Sequence, residues 1–579
     1  MFNFKEENIR MSIDISVKIG GEAGQGIQTV GDILARVCLK YGLYLMAIND
    51  FESRIRGGHS FFQIRISDKP VNAPSHSINL LLALDKKSFD LHEKELVKDG
   101  LCLMEKIDAP LKKNIIAIPF IELAKESGGK ITSNTVAAGA CLALLGAPFG
   151  IIREIITEGF ASKGKDIVEK NLNAAKAGYE AAGKVSFKFA FKWKASRPGG
   201  ILIDGSRAVA LGALAADCRF AAFYPMSPAT GIMAHLASVA DDFPLVVEQA
   251  EDEIAAVNMA IGASFAGARA MTATSGGGFC LMTEGLGLSG ITETPIVIVN
   301  AQRPGPATGL ATRTAQADLL FVINAAQDEF PRFVFAPGSP AEAFETTSRA
   351  FHLSDKYQVP AIILVDQYLN DSLFIAEKDL KAPGKVKRFI VGDTDLKNPA
   401  EYKRYALTGS GVSPRAVPCN GKAIVMVSGN EHREDGHTSE SAQIRIDMVN
   451  KRNAKVVKML SEMNPPERYF PRSKILLAGW GSTKGAIREA VDILRKEKIS
   501  AGCVNFNDLW PFPAAAAKKA LLACEKFYMV EQNSTAQLGR LIKEQTALSY
   551  SGAVLKYDGR PFYPVEIADG IKENLRKKS

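Results

Sequence analysis

What this chain lacks narrows its function before any motif is read. Its eight cysteines, Cys38, Cys102, Cys141, Cys218, Cys280, Cys419, Cys503 and Cys524, are scattered, with no C-x-x-C pair. An iron–sulfur cluster needs closely grouped thiolates and a structural zinc needs paired ligands, so neither is expected here. Such spacing reads as buried thiols in a reducing cytoplasm. Met1 to Arg10 is polar and acidic, without a basic segment leading into an apolar one, so no secretory signal is expected; Met11 is an alternative start. Long apolar runs are also wanting. The longest uncharged stretch, Ile131 to Ile152, opens with Thr-Ser-Asn, is rich in alanine and glycine, and breaks at Gly146-Ala-Pro-Phe-Gly150. A capped, buried helix is expected there and no membrane span. Charge is nearly balanced: 71 basic and 63 acidic residues leave a net charge of +8. The short basic runs Lys184 to Lys194 and Arg576 to Lys578 therefore read as solvated surface and tail, and no nucleic-acid partner is expected.

What is present is a strand–helix alternation along most of the 579 residues, long enough for about three to five domains. Ile13 to Ile19 reads as a first strand, Gly20-Gly-Glu-Ala-Gly-Gln-Gly26 as a turn, and Ile27 to Tyr41 as a helix. Such a turn lets backbone N–H groups approach an anion, or serves only the close packing of helix on strand. In Asn49-Asp-Phe-Glu-Ser-Arg-Ile-Arg-Gly-Gly-His-Ser60, Arg54, Arg56 and His59 crowd onto a loop before the alternating strand Phe61 to Ile66. They bind a ligand or pack against a partner subunit. A strand at Leu80 to Leu84, a buried helix at Asn134 to Leu145 and a helical pair over Gly159 to Gly183 complete one α/β unit over residues 10–185. A basic, aromatic linker, 186–200, follows.

From Ile201 the alternation resumes, with Asp204 starting a helix and Ala221 to Tyr224 a strand. The turn Tyr224-Pro-Met-Ser-Pro228 is stiffened by two prolines and offers the Ser227 hydroxyl, which either faces the site or caps the helix Thr230 to Ala240. Glu248, Glu251, Asp252 and Glu253 form an acidic cluster where a small-residue helix begins, with Gly262 nine residues after Glu253. A helix N-terminus is stabilised by such acids, by about 0.3–1 kcal/mol, but that does not explain four together. Met271-Thr-Ala-Thr-Ser-Gly-Gly-Gly-Phe279 runs from a strand into a glycine loop, so that Thr274, Ser275 and Gly276 can line a pocket. Thr294 to Asn300 is a buried strand leading to the loop that carries Arg303, Thr312, Arg313 and Gln316. Open α/β sheets place ligands at such carboxyl ends. Val427 to His437 holds His432, His437 and three acids, a spacing that fits no metal template well and suits a solvated loop or subunit contact. Lys474 to Thr483, the helix Gly485 to Lys496 and Phe527 to Asn533 form a last α/β region.

Several of these motifs, in this order, resemble one family. Gly20 to Gly26, Arg56-Gly-Gly-His-Ser60 and Lys170-Asn-Leu-Asn-Ala-Ala-Lys-Ala-Gly-Tyr179 look like the gamma component of 2-oxoacid:ferredoxin oxidoreductases. Tyr224 to Pro228 resembles the Tyr-Pro-Ile-Thr-Pro signature of the alpha component, with serine for threonine at 227. Thr274 to Gly278 resembles its Thr-Ser-Gly-Pro-Gly turn with Gly277 for proline, and Ala311 replaces the usual proline before Thr312. The His432 to His437 loop is similar to one in the 2-oxoglutarate-type branch.

The resemblance implies a multi-domain α/β protein: a Rossmann-like gamma domain at 10–185, a linker at 186–200, a thiamine-diphosphate (pyrimidine-type) domain at 201–385, a connecting region at 386–470 and a transketolase C-terminal-like domain at 471–579. It implies Glu253 as the carboxylate that bonds the cofactor's aminopyrimidine, with Glu248 and Glu251 as alternatives. Tyr224, Pro228, Thr274, Ser275 and Gly276 would line the cofactor site. Ser227 would sit near the reacting carbon and Arg313 would hold the substrate carboxylate beside Thr312, with Arg303 as the other candidate. The chain has no Gly-Asp-Gly followed by an asparagine at metal-binding distance. A beta subunit is therefore expected to hold the diphosphate, Mg²⁺ and a [4Fe–4S] cluster, in a dimer of heterodimers. The implied reaction is CoA-dependent oxidative decarboxylation of a 2-oxoacid, 2-oxoglutarate being favoured, with ferredoxin as electron acceptor, in the cytoplasm. A pyruvate- or indolepyruvate-type subunit and a non-catalytic scaffolding subunit are the alternatives.

Overall fold

The structure, a computed structural model, describes residues 13–52, 58–106, 114–185, 189, 193, 200–376, 380, 384–396 and 398–577. Arg54, Arg56 and most of the 186–200 linker lie outside the described residues. The chain divides into two compact units, residues 1–202 with 372–378, and residues 203–371 with 379–579.

In the first unit the strand Asp14–Glu22 pairs antiparallel with His59–Ser67 and parallel with Ile78–Ala83. Leu96–Glu105 and Ile115–Ile118 extend the sheet on one side; Tyr44–Asp50, Leu373–Ala376 and Ile201–Asp204 extend it on the other. The first strand is longer than expected and runs through Gly20 and Gly21. A Cβ at Gly20 would stand 2.9 Å from Ser88 Cβ, so glycine is what lets the strand pass the helix Lys86–His92. The turn itself is shorter, and Gly26, at φ 78°, begins the helix Ile27–Lys40.

The apolar stretch after Ile131 forms the helix Ser133–Leu144, buried from Thr135 onward. It lies almost in contact, backbone to backbone, with Lys165–Gly183: a Cβ at Gly178 would fall 1.9 Å from the Val136 carbonyl oxygen. The expected pair over 159–183 is one helix, whose neighbour Phe149–Phe160 starts earlier; Gly164, at φ 93°, separates the two. Among the described residues no helix is long and apolar enough to cross a membrane.

The second unit carries two sheets. The larger has the order Asp508–Trp510, Phe333–Phe335, Pro360–Asp366, Ile296–Gln302, Arg269–Thr274, Cys218–Phe223, Val246–Gln249, all parallel but the first. After Cys218–Phe223 the chain steps outward to Val246–Gln249 and then back across to Arg269–Thr274. The order thus reverses between Cys218–Phe223 and Arg269–Thr274, where open sheets leave a crevice at their carboxyl ends. The smaller sheet has the order Glu467–Tyr469, Ala501–Phe506, Ile475–Trp480, Lys526–Glu531, Gly552–Leu555. Ile298, Val334, Ile362, Trp480, Val504 and Met529 of the two sheets share one apolar core. Each such side chain contributes about 1.5–3 kcal/mol by leaving water.

Residues 386–470 hold few strands and are fastened by buried ion pairs. Arg415 and Arg269 both bond Asp355, at 2.8 and 3.2 Å. Glu293, from the loop before Ile296–Gln302, meets Lys451 at 2.6 Å and Lys455 at 2.5 Å, both on the helix Ala442–Ser461. His432 is fully buried, its Nδ1 3.0 Å from the Asn430 carbonyl and its ring against Tyr405. His432 is therefore core, whereas Val427, Gly429, Asn430, Arg433 and His437 of the same loop are exposed, as a solvated loop requires. The cysteines also depart from expectation, since Cys280 and Cys419 are exposed.

Candidate active site

The crevice of the larger sheet gathers most of the residues singled out in the sequence. At the end of Cys218–Phe223, Tyr224 and Ser227 are exposed and Pro228 is buried. The helix Thr230–Ser238 has Ala229 at its N-cap with no side-chain cap bond, so Ser227 does not cap it. The Ser227 carbonyl accepts a hydrogen bond from Arg303 Nη1 at 2.8 Å, and the Pro228 carbonyl one from Asn370 Nδ2 at 3.1 Å. Arg303 is partly buried, which lowers its pKa.

The four acids have distinct positions. Glu248 and Glu251 are exposed. Asp252 is the N-cap of the helix Glu253–Phe265, its carboxylate accepting the Ala255 N–H at 2.7 Å. Glu253 alone is buried, at 3% exposure, and its Oε1 has no hydrogen-bond partner. A Cβ at Gly278 would fall 2.5 Å from that oxygen and 2.0 Å from Thr274 Oγ1. Only glycine fits there, so the turn after Arg269–Thr274 is cut to the shape of the acid. Thr274 and Ser275 are wholly buried; Thr274 Oγ1 lies 3.8 Å from Met226 Sδ, and Ser275 Oγ lacks a partner.

The loop after Ile296–Gln302 divides in two. Its first residue, Arg303, faces the Ser227 turn, whereas Arg313 lies beside Gly559, whose added Cβ would be 3.0 Å from Arg313 Cβ. Thr312 precedes it, half-buried. Gln316 is stitched to the smaller sheet by four bonds: to Trp480 O and Gln532 O, and from Gln532 N and Asn533 Nδ2, at 2.7 to 3.1 Å. The structure therefore brings Ser227 and Arg303 together, and Glu253 and Thr274, but places Arg313 at the far end of its loop.

Sequence reading missed Asp318 and Asn300. Asn300 Nδ2 donates to Asp318 Oδ2 at 3.3 Å, and the Asp318 carboxyl lies against Gly276. Burial pushes the Asp318 pKa up to about 6, the Asn300 bond opposing it. The only cue was position, two residues beyond Gln316 and at the end of a predicted strand. Among the described residues no group of three or more His, Cys, Asp and Glu side chains could hold a metal ion.

The first unit holds a separate polar chain. Ser88 Oγ lies 3.4 Å from His59 Nδ1, His59 Nε2 2.7 Å from His92 Nε2, and His92 Nδ1 2.6 Å from Glu95, which also pairs with Lys18. Burial lowers the pKa of Lys18 and of His59. His59 is thus tied into the protein's own network.

Three family models match successive stretches: "Pyruvate ferredoxin/flavodoxin oxidoreductase" at residues 16–181, "Pyruvate flavodoxin/ferredoxin oxidoreductase, thiamine diP-bdg" at 211–451 and "Pyruvate:ferredoxin oxidoreductase core domain II" at 473–567. The 2-oxoacid:ferredoxin oxidoreductase subunit alpha of Sulfolobus sp is 33% identical, over 96% of this chain and 96% of its own length. The 2-oxoglutarate oxidoreductase subunit KorA of Mycobacterium tuberculosis is 29% identical, over 97% of this chain and 92% of its own. Among solved structures, the 2-oxoglutarate:ferredoxin oxidoreductase from Magnetococcus marinus, with 2-oxoglutarate, coenzyme A and succinyl-CoA bound, matches with a TM-score of 0.90 at 29% identity, over 97% of this chain and 99% of that one.

Proposed function

The chain belongs to the 2-oxoacid:ferredoxin oxidoreductases as an alpha subunit, and on that premise we propose that it supplies the aminopyrimidine- and substrate-binding half of a 2-oxoglutarate-oxidising enzyme. The reaction consumes a 2-oxoacid, CoA and oxidised ferredoxin, and releases CO₂, an acyl-CoA and ferredoxin reduced by two electrons. Residues 10–185 are the gamma domain, 201–385 the pyrimidine-type domain and 471–579 the transketolase C-terminal-like domain, with 186–200 and 386–470 as connections. A beta chain holds the diphosphate, Mg²⁺ and a [4Fe–4S] cluster, because the sequence offers neither a Gly-Asp-Gly motif nor grouped cysteines. The assembly is a cytoplasmic dimer of heterodimers.

One observation carries this reading: the enclosed Glu253 oxygen with no partner, facing a glycine that cannot be anything larger. A buried polar atom without a partner costs about 1–3 kcal/mol, which a bound ring nitrogen would offset. The residues fit the aminopyrimidine in this respect. Thiamine diphosphate, when bound, supplies the nucleophilic carbon that the loss of CO₂ requires. Glu253 holds a proton against the ring nitrogen. Thr274, Ser275 and Gly276 floor the site; Tyr224 and Pro228 wall it. The Ser227 hydroxyl stands near the substrate carbonyl. Arg313 and Thr312 take the 2-oxoacid carboxylate, and Arg303, fixed to the Ser227 turn, is placed for a second one.

The relatives named for 2-oxoglutarate favour that substrate, and two arginines suit a dicarboxylate. The test is to co-purify the chain with its beta partner and follow CoA-dependent viologen reduction across several 2-oxoacids. 2-Oxoglutarate should give the highest kcat/KM. Faster turnover of pyruvate or indolepyruvate would overturn the substrate assignment, and none with any 2-oxoacid would leave a scaffolding role.

A further inference from the structure

The roles above leave Asp318 unused. Asp318 is half-buried, its N–H donates to Gln302 Oε1 at 3.1 Å, and its Oδ2 accepts from Asn300 Nδ2. A Cβ at Gly276 would stand 2.4 Å from Asp318 Oδ2 and 3.0 Å from Oδ1, so both carboxyl oxygens lie against the start of the glycine turn. Asn300 is fully buried, and its Oδ1 has no partner. A single hydrogen repairs this: a proton on Asp318. An acid and a primary amide meeting edge to edge form two hydrogen bonds, N–H to one carboxyl oxygen and O–H to the amide oxygen. An ionised carboxylate forms only the first.

The neighbours point the same way. Asn300 and Gln302 of the strand, Ser275 and Gly276 of the turn, the Cys280 thiol of the short helix Gly276–Leu281, and Gln537, which brackets the backbone at Ala317 and Leu320, carry no formal charge. Glu253 touches the other end of the same turn, at Gly278, and would only add to a negative potential. None of these groups offsets an ionised Asp318, and burial pushes its pKa up to about 6.

We propose that Asp318 is a positioning residue that binds a proton as the substrate arrives: paired edge to edge with Asn300 at the foot of the glycine turn, it presents an uncharged floor to a 2-oxoacid anion. This rests on the reading that the 2-oxoacid enters at this end of the sheet. The sign follows from linkage. The anion prefers the protonated form, so affinity is greatest below the Asp318 pKa and falls as pH rises through it, and binding takes up a proton.

The test uses the complex assembled with the beta chain. From about pH 5.5 to about pH 8 the wild-type KM for 2-oxoglutarate should rise on the order of tenfold, the size of one pKa unit of coupling, while kcat changes less. Asp318→Asn, uncharged and of the same size, should flatten the KM profile. Titration calorimetry with glutarate, an unreactive dicarboxylate, in two buffers of different ionisation enthalpy should detect proton uptake in the wild type and less in D318N. Parallel KM profiles in the two proteins, or equal proton uptake, would overturn the proposal. If D318N fails to assemble, the wild-type calorimetry decides, and no uptake overturns it. A wild-type complex without turnover would count against the activity itself; turnover with an unchanged profile in D318N counts against Asp318 alone.

Discussion

Glu253 and Glu293 belong to the same unit and are buried to 3% and 1% exposure, yet their surroundings are opposite. Glu293 sits between Lys451 and Lys455, with Arg404 donating to its backbone carbonyl at 2.7 Å. Burial alone would raise its pKa, but the two lysines and the arginine outweigh that and hold it well below the usual carboxylate range. Burial likewise pulls Lys455 down to about 7, against the attraction of Glu293. Glu253 has no such company, and one of its oxygens bonds nothing. An acid surrounded by its own counter-charges is a fastening; an enclosed acid without them is, on the function proposed above, the one that takes a ligand. Fastening and site are thus told apart by partners, since burial is equal.

Three substitutions break or sharpen this contrast. Glu253→Gln keeps the shape and removes the proton chemistry, so turnover of the assembled complex should fall about 10²–10⁴-fold with its melting temperature nearly unchanged. Intact turnover would reassign the acid, Glu248 and Glu251 being the alternatives. Glu293→Gln should do the reverse. Two buried lysines lose their counter-charge, a loss of about 3 kcal/mol that thermal melts would read as a clear drop, while kcat of the surviving folded complex stays near normal. An unchanged melt would mean that the cluster fastens nothing. Gly278→Ala tests the space beside Glu253, where the new methyl would collide with Thr274 Oγ1 and Glu253 Oε1. Activity should fall on the order of 10–100-fold, with cofactor affinity lowered in parallel. Wild-type affinity in G278A would show that nothing seats there.

How much of this was legible depended on how local the signal was. The Tyr224 to Pro228 turn, the helix that starts at Glu253, and the glycine turn after Thr274 could all be read as local structure because each is a short run at a strand end, fixed by proline, capping and glycine spacing. The extent of the first strand was misread because Gly20 and Gly21 look like a turn until Ser88 is known to press on Gly20. Asp318 stayed hidden for a similar reason. Its partner lies 18 residues back, and neither its burial nor the bare oxygen of Asn300 leaves a mark in the sequence. The separation of Arg303 from Arg313 depends on the loop being pinned at Gln316 by residues more than 160 positions onward. His432 was misjudged because polar neighbours disguise a ring that packs on Tyr405.

The strand Leu373–Ala376 bears on how this polypeptide could be dissected. Leu373 and Phe374 pair with Ala47 and Met46, although more than 300 residues separate them along the chain. A fragment ending near residue 200 would lose that pairing and bare a raw ladder edge, the kind that recruits stray strands and precipitates. Any lineage that re-divided this gene into two would have to furnish a substitute strand for the shorter product.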